Sequence, residues 1–231
     1  MSDVLQISCT LFHYFPETAE NFKKLCHSAA IAFTVPADQT CCGMPYFDKG
    51  ELKTAKKVAE YNLKVIGDQN IISSSLKCEQ VYTVKYPKIF NNTVSHIQCM
   101  KIAGSAKGLH DVFEKAQLNN NQSIKGNYFM LPDCDAPKKG QEQWLTKFPN
   151  AKFQFSTLQN TCCGAGFCLP ALNPETATGL SETILNEAIS SGVDTIVASN
   201  DICMIQLMNT AKKKNISINI IHIIDLFAQA L

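Results

Sequence analysis

Short apolar runs alternate with longer segments of helical periodicity along the chain. In the first half these runs lie at residues 4–8, 31–35 and 70–74 and are short enough to be strands. A helix is predicted from Pro16 and another over residues 52–66, where apolar residues recur every three or four positions. Strands that alternate with helices predict an α/β fold with a parallel sheet.

The second half repeats this plan, with strands predicted at residues 128–131, 153–158, 195–198 and 217–221. A helix is predicted from Asn173, which suits an N-cap and is followed by Pro and Glu in the first turn. Its predicted buried face is Ala177, Leu180, Ile184 and Ala188.

The polar cluster after residue 118 predicts a boundary between two tandem Rossmann-like halves. We place the halves at residues 1–118 and 127–231 and a linker at 119–126. Residues 94–117 mix two periods and are predicted mostly as helix, and Met44-Pro45-Tyr46 is predicted as loop.

Cysteines recur in the same order in both halves. The stretch Thr40-Cys41-Cys42-Gly43 returns as Thr161-Cys162-Cys163-Gly164, and a lone cysteine stands before and after each pair. Each position follows a predicted strand, so these thiols fall at the carboxyl edge of a parallel sheet, where ligands bind. The eight repeated cysteines are Cys9, Cys41, Cys42, Cys78, Cys134, Cys162, Cys163 and Cys203.

Three further cysteines do not recur between the halves. Cys26 and Cys99 are predicted to be structural. The counterpart of Cys168 in the first half is Phe47, which favours an apolar contact and leaves a supplementary ligand role open. The five histidines are scattered, and none is assigned to catalysis.

Composition and charge exclude several classes of protein. The net charge is +1 without a Lys/Arg block, which argues against nucleic acid or an anionic membrane surface as a partner. No apolar segment is long enough to span a bilayer, and no signal pattern opens the chain, so a soluble cytoplasmic protein is expected. No G-x-G-x-x-G fingerprint indicates hydride chemistry.

Eleven cysteines in a chain of this length indicate metal or redox chemistry. The odd number and a reducing cytosol argue against a disulfide framework. Zinc is disfavoured because structural zinc sites usually use closely spaced ligand pairs, and the chain has no CxxC. Four widely spaced thiolates in each half suit an iron-sulfur cluster of the 4Fe-4S type.

The doubled arrangement of lone Cys, Cys-Cys-Gly and lone Cys resembles the cysteine-rich CCG domain family over nearly the whole chain. In length, element order and the regions around Cys203 and His222, the chain is similar to the lactate-utilisation A branch of that family. Other members are the B subunit of heterodisulfide reductase and the cysteine-rich subunits of glycolate and glycerol-3-phosphate oxidases. The resemblance implies iron-sulfur electron transfer, with the eight repeated cysteines as ligands, four in each half.

Two positions depart from the fullest family motif, which ends in CxxC. Ser75 and Asn200 stand where that motif has its first cysteine. The fused noncubane clusters of heterodisulfide reductase use that thiol, so ordinary clusters are implied for this chain.

The expected function is that of an iron-sulfur electron-transfer subunit of a lactate-oxidising complex, which relays electrons between partner subunits and has no catalytic residue of its own. Two alternatives stay open: thiol-disulfide reduction at a cluster, as in the B subunit of heterodisulfide reductase, and a metal-binding or thiol-redox module without turnover. Bound iron and sulfide would distinguish the module without turnover from the electron-transfer subunit and the disulfide reductase. Disulfide reductase assays would distinguish the electron-transfer subunit from the reductase.

Overall fold

The computed structural model describes residues 3–134, 138–157 and 162–231, and gives only the backbone at 138 and 139. Leu158 and Thr161, which belong to a predicted strand and to the second Cys-Cys-Gly motif, lie outside these ranges. The chain divides into two compact units, Met1–Ala116 and Gln117–Leu231. Each unit is an α/β unit with its own parallel sheet.

The first unit contains a three-stranded parallel sheet in the order β2-β1-β3. The strands are β1 (Asp3–Gln6), β2 (Phe33–Thr34) and β3 (Ile71–Ser73). An isolated parallel bridge between Ile72 and Lys107 adds a fourth position beside β3. The sheet therefore continues, by one residue, into the segment predicted mostly as helix.

Helices cover this sheet, and the predicted helices at Pro16 and 52–66 are confirmed. The prediction of loop at Met44-Pro45-Tyr46 was wrong, since these residues begin a short helix in which the fixed φ of Pro45 suits the first turn. The helices are α1 (Cys9–Tyr14), α2 (Pro16–Ser28), α3 (Met44–Asp48), α4 (Leu52–Ile66), α5 (Leu76–Gln80), a π-helical turn (Val81–Lys85), α6 (Tyr86–Ile89), α7 (Ser95–Ser105) and α8 (Leu109–Lys115).

The second unit contains a four-stranded parallel sheet in the order β5-β4-β6-β7. Its strands are β4 (Gly126–Leu131), β5 (Ala151–Phe155), β6 (Thr195–Ala198) and β7 (Asn219–His222). Lys107 lies beside β3 in the first sheet, and β7 lies beside β6 in the second. The order β2-β1-β3-Lys107 therefore matches the order β5-β4-β6-β7. The predicted α/β class with two parallel sheets is confirmed.

The helices of the second unit include the one predicted from Asn173, whose side chain accepts a hydrogen bond from the N-H of Thr176. Leu180 on this helix is 37% exposed, and Ser181 is buried instead, so the predicted buried face was wrong at that position. The helical segments are a 3-10 turn (Asn121–Ser123), α9 (Lys138–Leu145), α10 (Leu169–Leu172), α11 (Pro174–Ser190), α12 (Asp201–Lys214) and α13 (Ile223–Ala228).

Residues 119–126 pack within the second unit. The N-H of Asn120 donates to the carbonyl of Ala230, and Gly126 is already the first residue of β4. Within the ranges given above, no helix is long and apolar enough to cross a membrane.

Candidate cysteine sites

In the first unit the four repeated cysteines lie on three segments that follow the three strands. Cys9 begins α1 just after β1, and Cys78 lies in α5 just after β3. Cys41 and Cys42 lie in the loop that runs from β2 to α3. Because the strands are parallel, their carboxyl ends meet at one edge of the sheet, and the thiols meet there.

The thiols of the first unit form a continuous chain of contacts. The Sγ atoms of Cys9 and Cys41 are 3.8 Å apart. The thiol of Cys42 is hydrogen-bonded with both Cys41 and Cys78. The structure therefore brings together all four residues predicted for this half.

These contacts shift the pKa values of Cys41 and Cys42 in opposite directions. Hydrogen bonds from Cys42 and Cys9, together with the N-H of Gly43, lower the pKa of Cys41 to about 3. The hydrogen bonds that Cys42 makes with Cys41 and Cys78, and its burial, raise the pKa of Cys42 well above its usual value. A thiolate is therefore stabilised at Cys41, and the thiolate is the form of cysteine that binds metals.

The glycine of each Cys-Cys-Gly motif turns its N-H toward the first cysteine of the pair. The distance from the N of Gly43 to the Sγ of Cys41 is 3.4 Å, and that from the N of Gly164 to the Sγ of Cys162 is 3.3 Å. Both glycines have a left-handed backbone, with φ of 91° and 78°, which favours glycine. Both units thus place a peptide donor beside a cysteine sulfur.

Buried polar side chains hold the first loop in place. Asn62 on α4 donates from Nδ2 to the carbonyl of Cys41 at 3.0 Å and accepts from Oγ1 of Thr40 at 3.0 Å. The hydroxyl of Tyr86 donates to the carbonyl of Cys42 at 2.9 Å. The backbone on which Cys41 and Cys42 stand is therefore fixed by hydrogen bonds to helices.

A cleft of about 480 Å³ opens beside Cys9 and Cys41. Its walls include Phe12, which is 60% exposed, and the side chains of His13 and Val35. The first cysteine site is therefore open to solvent on a side with an apolar rim.

One buried hydroxyl beside this site has no hydrogen-bond partner among the described residues, and it belongs to Tyr82. Burial and neighbouring Tyr86, together with charge on Cys42, Cys78 and Cys41, raise the pKa of Tyr82 well above its usual value. The phenol is therefore a hydrogen-bond donor without an acceptor among the described residues, in the same buried cluster as Cys42 and Cys78.

In the second unit the repeated cysteines again follow the strands. Cys134 lies exposed in the turn after β4, and Cys203 lies in the first turn of α12 after β6. Cys162 and Cys163 belong to the segment between β5 and α10. The structure brings Cys163 and Cys203 together as a disulfide with a Cα to Cα distance of 5.6 Å.

The sequence argued against a disulfide framework, and in the described ranges the structure pairs two of the repeated cysteines, Cys163 and Cys203. Both residues are buried at the carboxyl edge of the sheet, which brings the two sulfurs into bonding distance. Their counterparts in the first unit, Cys42 and Cys78, are hydrogen-bonded to each other as free thiols. Two thiolates are available at Cys163 and Cys203 once this bond is reduced.

The second loop is held by α11 in the way that the first loop is held by α4. Ser181 on α11 donates to the carbonyl of Cys163 at 2.6 Å. Gly164 packs against the backbone of Ala177, one turn earlier on α11, so closely that a Cβ at Gly164 would lie 2.7 Å from the Ala177 oxygen. Ser181 and Ala177 thus take the places that Asn62 and Val58 take in the first unit.

Ser75 and Asn200, the two positions singled out from the sequence, stand at the starts of helices. Ser75 is buried at the start of α5. Asn200 caps α12 through the N-H of Ile202, and its amide nitrogen donates to the carboxylate of Asp133. The side chain of Asn200 therefore serves the helix start and the turn before Cys134.

The cysteines predicted to be structural are both buried in helices. Cys26 lies in α2 and Cys99 in α7, and burial raises their pKa values to about 12 and about 11. Cys168 is partly exposed and adopts a left-handed backbone, with φ of 56°, at the start of α10.

The donor set of the first unit fits an iron-sulfur cluster. Cysteine thiols, a peptide N-H directed at sulfur and a buried phenol lie at one edge of the sheet. Thiolates bind the iron atoms of such a cluster, and N-H and O-H groups stabilise its sulfurs by hydrogen bonds. In the described part of the chain, no group of three or more His, Cys, Asp and Glu side chains is arranged around a single ion. A cluster differs from a single ion because its cysteines bind separate iron atoms.

Sequence reasoning missed the residues that hold the loops, namely Asn62, Tyr86 and Ser181. A signal existed for two of them. Asn62 and Ser181 are polar residues at buried positions on otherwise apolar helix faces, and such residues usually have a specific hydrogen-bond partner.

Comparison with known proteins agrees with this arrangement. The profile of the cysteine-rich domain, CCG, matches residues 4–81 and 139–208, which together exceed half of the chain. The chain belongs to the cysteine-rich CCG domain family. The matched ranges contain every repeated cysteine except Cys134.

Similar proteins carry two kinds of name. Lactate utilization protein A of Exiguobacterium sp. is 20% identical, and the match covers 98% of this chain and 97% of that protein. Lactate utilization protein A of Oceanobacillus iheyensis is 22% identical over 96% of this chain and 94% of that protein. The D subunit of the dihydromethanophenazine:CoB-CoM heterodisulfide reductase of Methanosarcina acetivorans is 21% identical over 90% of this chain and 54% of that protein.

Among solved structures, a putative Asp/Glu racemase from Yersinia pestis aligns with 100% of this chain and 97% of its own, at 10% identity and a TM-score of 0.39.

Proposed function

We propose that this chain is an iron-sulfur electron-transfer subunit of a lactate-oxidising complex. The observation that carries the proposal is the chain of contacts from Cys9 through Cys41 and Cys42 to Cys78 at the carboxyl edge of a parallel sheet. Cysteine thiolates are the usual ligands of iron-sulfur clusters. These four residues would hold one 4Fe-4S cluster.

The second unit would hold a second cluster through the equivalent residues, Cys134, Cys162, Cys163 and Cys203. Before this can happen, the Cys163–Cys203 disulfide must accept two electrons and two protons from a thiol reductant, which is itself oxidised to a disulfide. Both thiols lose their protons when they bind iron. Loading of the second unit is therefore expected to require reducing conditions.

A bound cluster supplies a one-electron redox couple, and the protein residues fix its surroundings. Asn62 and Tyr86 hold the loop carbonyls, and Gly43 directs its N-H at the Cys41 sulfur. The first site thus needs little rearrangement when an electron arrives or leaves. The solvent-open cleft beside Cys9 and Cys41 supports electron exchange with a partner protein.

Lactate is proposed as the substrate of the complex because relatives named for lactate utilization match this chain along nearly their whole length. In this role the chain relays electrons between partner subunits and leaves activation of lactate to a partner. Purified chain should therefore give no lactate-dependent dye reduction alone, and should accept electrons when co-expressed with its partner subunits. Robust turnover by the chain alone would overturn the relay role.

The match to a heterodisulfide reductase component favours a second candidate, thiol-disulfide reduction at a cluster. Cluster reduction that responds to a thiol or disulfide substrate and not to lactate would support it. Protein that binds neither iron nor sulfide after anaerobic purification would instead be a thiol-redox or metal-binding module.

Serine variants of the cysteines test the ligand set. Each of the eight repeated cysteines, replaced singly, should lower bound iron, because each supplies one thiolate. Cys26→Ser and Cys99→Ser are matched controls, buried in helices, and should keep wild-type iron. Equal iron loss in all ten variants would contradict the ligand assignment.

The type of cluster is tested by spectroscopy of anaerobically prepared protein. Ser75 and Asn200 supply no thiol, so ordinary clusters are expected. Spectra of a fused noncubane cluster would contradict this expectation and would make Cys168 the candidate for an additional ligand.

A further inference from the structure

Tyr82 places a hydroxyl group in the core beside the first cysteine site. It lies four residues after Cys78, in the π-helical turn Val81–Lys85, and belongs to the same buried cluster as Cys42 and Cys78. Its oxygen is buried and has no hydrogen-bond partner within the described ranges. A buried hydroxyl without a partner is unfavourable in a folded protein. A hydrogen-bond acceptor bound near this hydroxyl would remove that cost.

The neighbouring tyrosine shows how such a group is normally satisfied. The ring of Tyr86 packs edge-on against the ring of Tyr82, with centroids 4.9 Å apart. The hydroxyl of Tyr86 donates to the carbonyl of Cys42 at 2.9 Å and accepts from Asn62 at 3.0 Å. Tyr86 thus supports the loop backbone, whereas the loop backbone offers Tyr82 no acceptor.

Tyr82 lies in a π-helical turn, where the helix is irregular. A π turn contains more residues than an α turn and rotates the side chains that follow, and such turns are frequent at functional sites. In the second unit, α12 is an uninterrupted α-helix, and the residue four positions after Cys203 is the buried Leu207. The position equivalent to Tyr82 therefore carries no hydroxyl in the second unit.

We propose that Tyr82 donates a hydrogen bond to a sulfur of the cluster held by the first-unit cysteines, and that this bond raises the reduction potential of that cluster. The proposal rests on the proposed function, since it requires a cluster. Reduction adds negative charge to the cluster sulfurs, so a hydrogen-bond donor stabilises the reduced state more than the oxidised state. In this role Tyr82 is a hydrogen-bond donor to the cluster and not a ligand of its iron.

The test compares Tyr82→Phe with its parent in full-length protein that loads only the first site, in a Cys162→Ser/Cys203→Ser background. Clusters are reconstituted with ferrous iron and sulfide, and iron and sulfide are counted before a dithionite titration followed by EPR. Tyr61→Phe is the matched control, because Tyr61 lies on the exposed side of α4.

We expect Tyr82→Phe to keep its iron. At a fixed solution potential its ratio of reduced to oxidised cluster should be lower by approximately tenfold, which corresponds to a reduction potential lower by about 59 mV for a one-electron couple. Tyr61→Phe should match its parent. In a Cys78→Ser background, where only the second site loads, Tyr82→Phe should have no effect. A loaded Tyr82→Phe protein with an unchanged potential would overturn the role of Tyr82 and leave the proposed function intact.

A second readout uses cluster-free protein and does not depend on a potential. Here Tyr82→Phe should be at least as stable to urea as wild type, because it removes an unsatisfied buried hydroxyl. In loaded protein the same change should speed the loss of iron to a chelator. A cluster-free variant clearly less stable than wild type would contradict the proposal, and absence of iron from every protein would overturn the proposed function with it.

Discussion

Gly164→Ala should destabilise the second unit strongly, because the loop that carries Cys162 and Cys163 packs against α11 at this glycine. The φ of Gly164 is +78°, and a side chain in the left-handed region is disfavoured by about 1–2 kcal/mol. The new Cβ would lie 2.7 Å from the Ala177 oxygen and 3.0 Å from its Cα. Overpacking of this kind adds about 1–3 kcal/mol, which gives a total of about 2–5 kcal/mol.

Two other glycines provide matched controls. Gly43, with φ +91°, would bring its Cβ to 3.3 Å from a methyl group of Val58, which can move, so Gly43→Ala should keep only the backbone penalty of about 1–2 kcal/mol. Gly179 lies in α11 itself and has no atom within 4 Å of an added Cβ. Gly179→Ala should therefore stabilise α11 by up to about 1 kcal/mol.

The single tryptophan gives a local assay for these variants. Trp144 is buried in α9 of the second unit, so its fluorescence during urea unfolding reports on that unit. With a slope of about 1–3 kcal/mol per M urea, a loss of about 3 kcal/mol lowers the midpoint by about 1–3 M. All samples are kept under one redox condition, so that the Cys163–Cys203 bond is the same in each. A Gly164→Ala midpoint equal to that of wild type or Gly179→Ala would refute the reasoning.

Two further predictions use the same assay. Ser181→Ala removes the donor to the Cys163 carbonyl and should lower the stability of the second unit by about 1–3 kcal/mol, whereas Thr183→Ala, on the exposed side of α11, should change it by less than about 0.5 kcal/mol. His222 is buried and its pKa is lowered to about 3 by desolvation, so protonation of the unfolded chain should reduce stability as the pH falls from 6.5 toward 3, by about 2 kcal/mol at pH 5. His222→Asn keeps an N-cap that does not titrate, so its stability should not show this loss. If the stability of the wild type changed no more between pH 7 and pH 5 than that of His222→Asn, the prediction would be wrong.

The sequence predicted the fold well where one local pattern determined each element. The helix at 52–66 and the capped helix at Asn173 form as expected, because long amphipathic periods and cap residues act within the segment itself. The short helix at Met44 and the π-helical turn at Val81 were not predicted. Residues of both segments belong to, or pack against, the buried cluster that contains Cys42 and Cys78, and a local pattern does not contain these long-range contacts.

The candidate sites could be predicted as a set of residues but not as a geometry. The repeat identified Cys9, Cys41, Cys42 and Cys78, and the parallel topology explains why they meet. The buried hydroxyl of Tyr82 could not be predicted, because its burial without a partner depends on neighbours distant in sequence.

The pairing of Cys163 with Cys203 could not be predicted either. The two residues are 40 positions apart, and the topology of the second sheet brings their Cα atoms to 5.6 Å. The equivalent residues of the first unit remain free thiols, so the repeat alone gave no indication of the bond.

Iron and acid-labile sulfide, measured in anaerobically purified full-length protein together with its Mössbauer or EPR spectrum, test the central claim most directly. Two ordinary clusters are predicted, which corresponds to about eight iron and eight sulfide per chain for the 4Fe-4S type. Cys41→Ser should lose the signal of the first site, because Cys41 is the thiolate that joins Cys9 to Cys42 in the contact chain. Protein without iron and sulfide after anaerobic reconstitution, or with the same iron content in wild type and Cys41→Ser, would contradict the account.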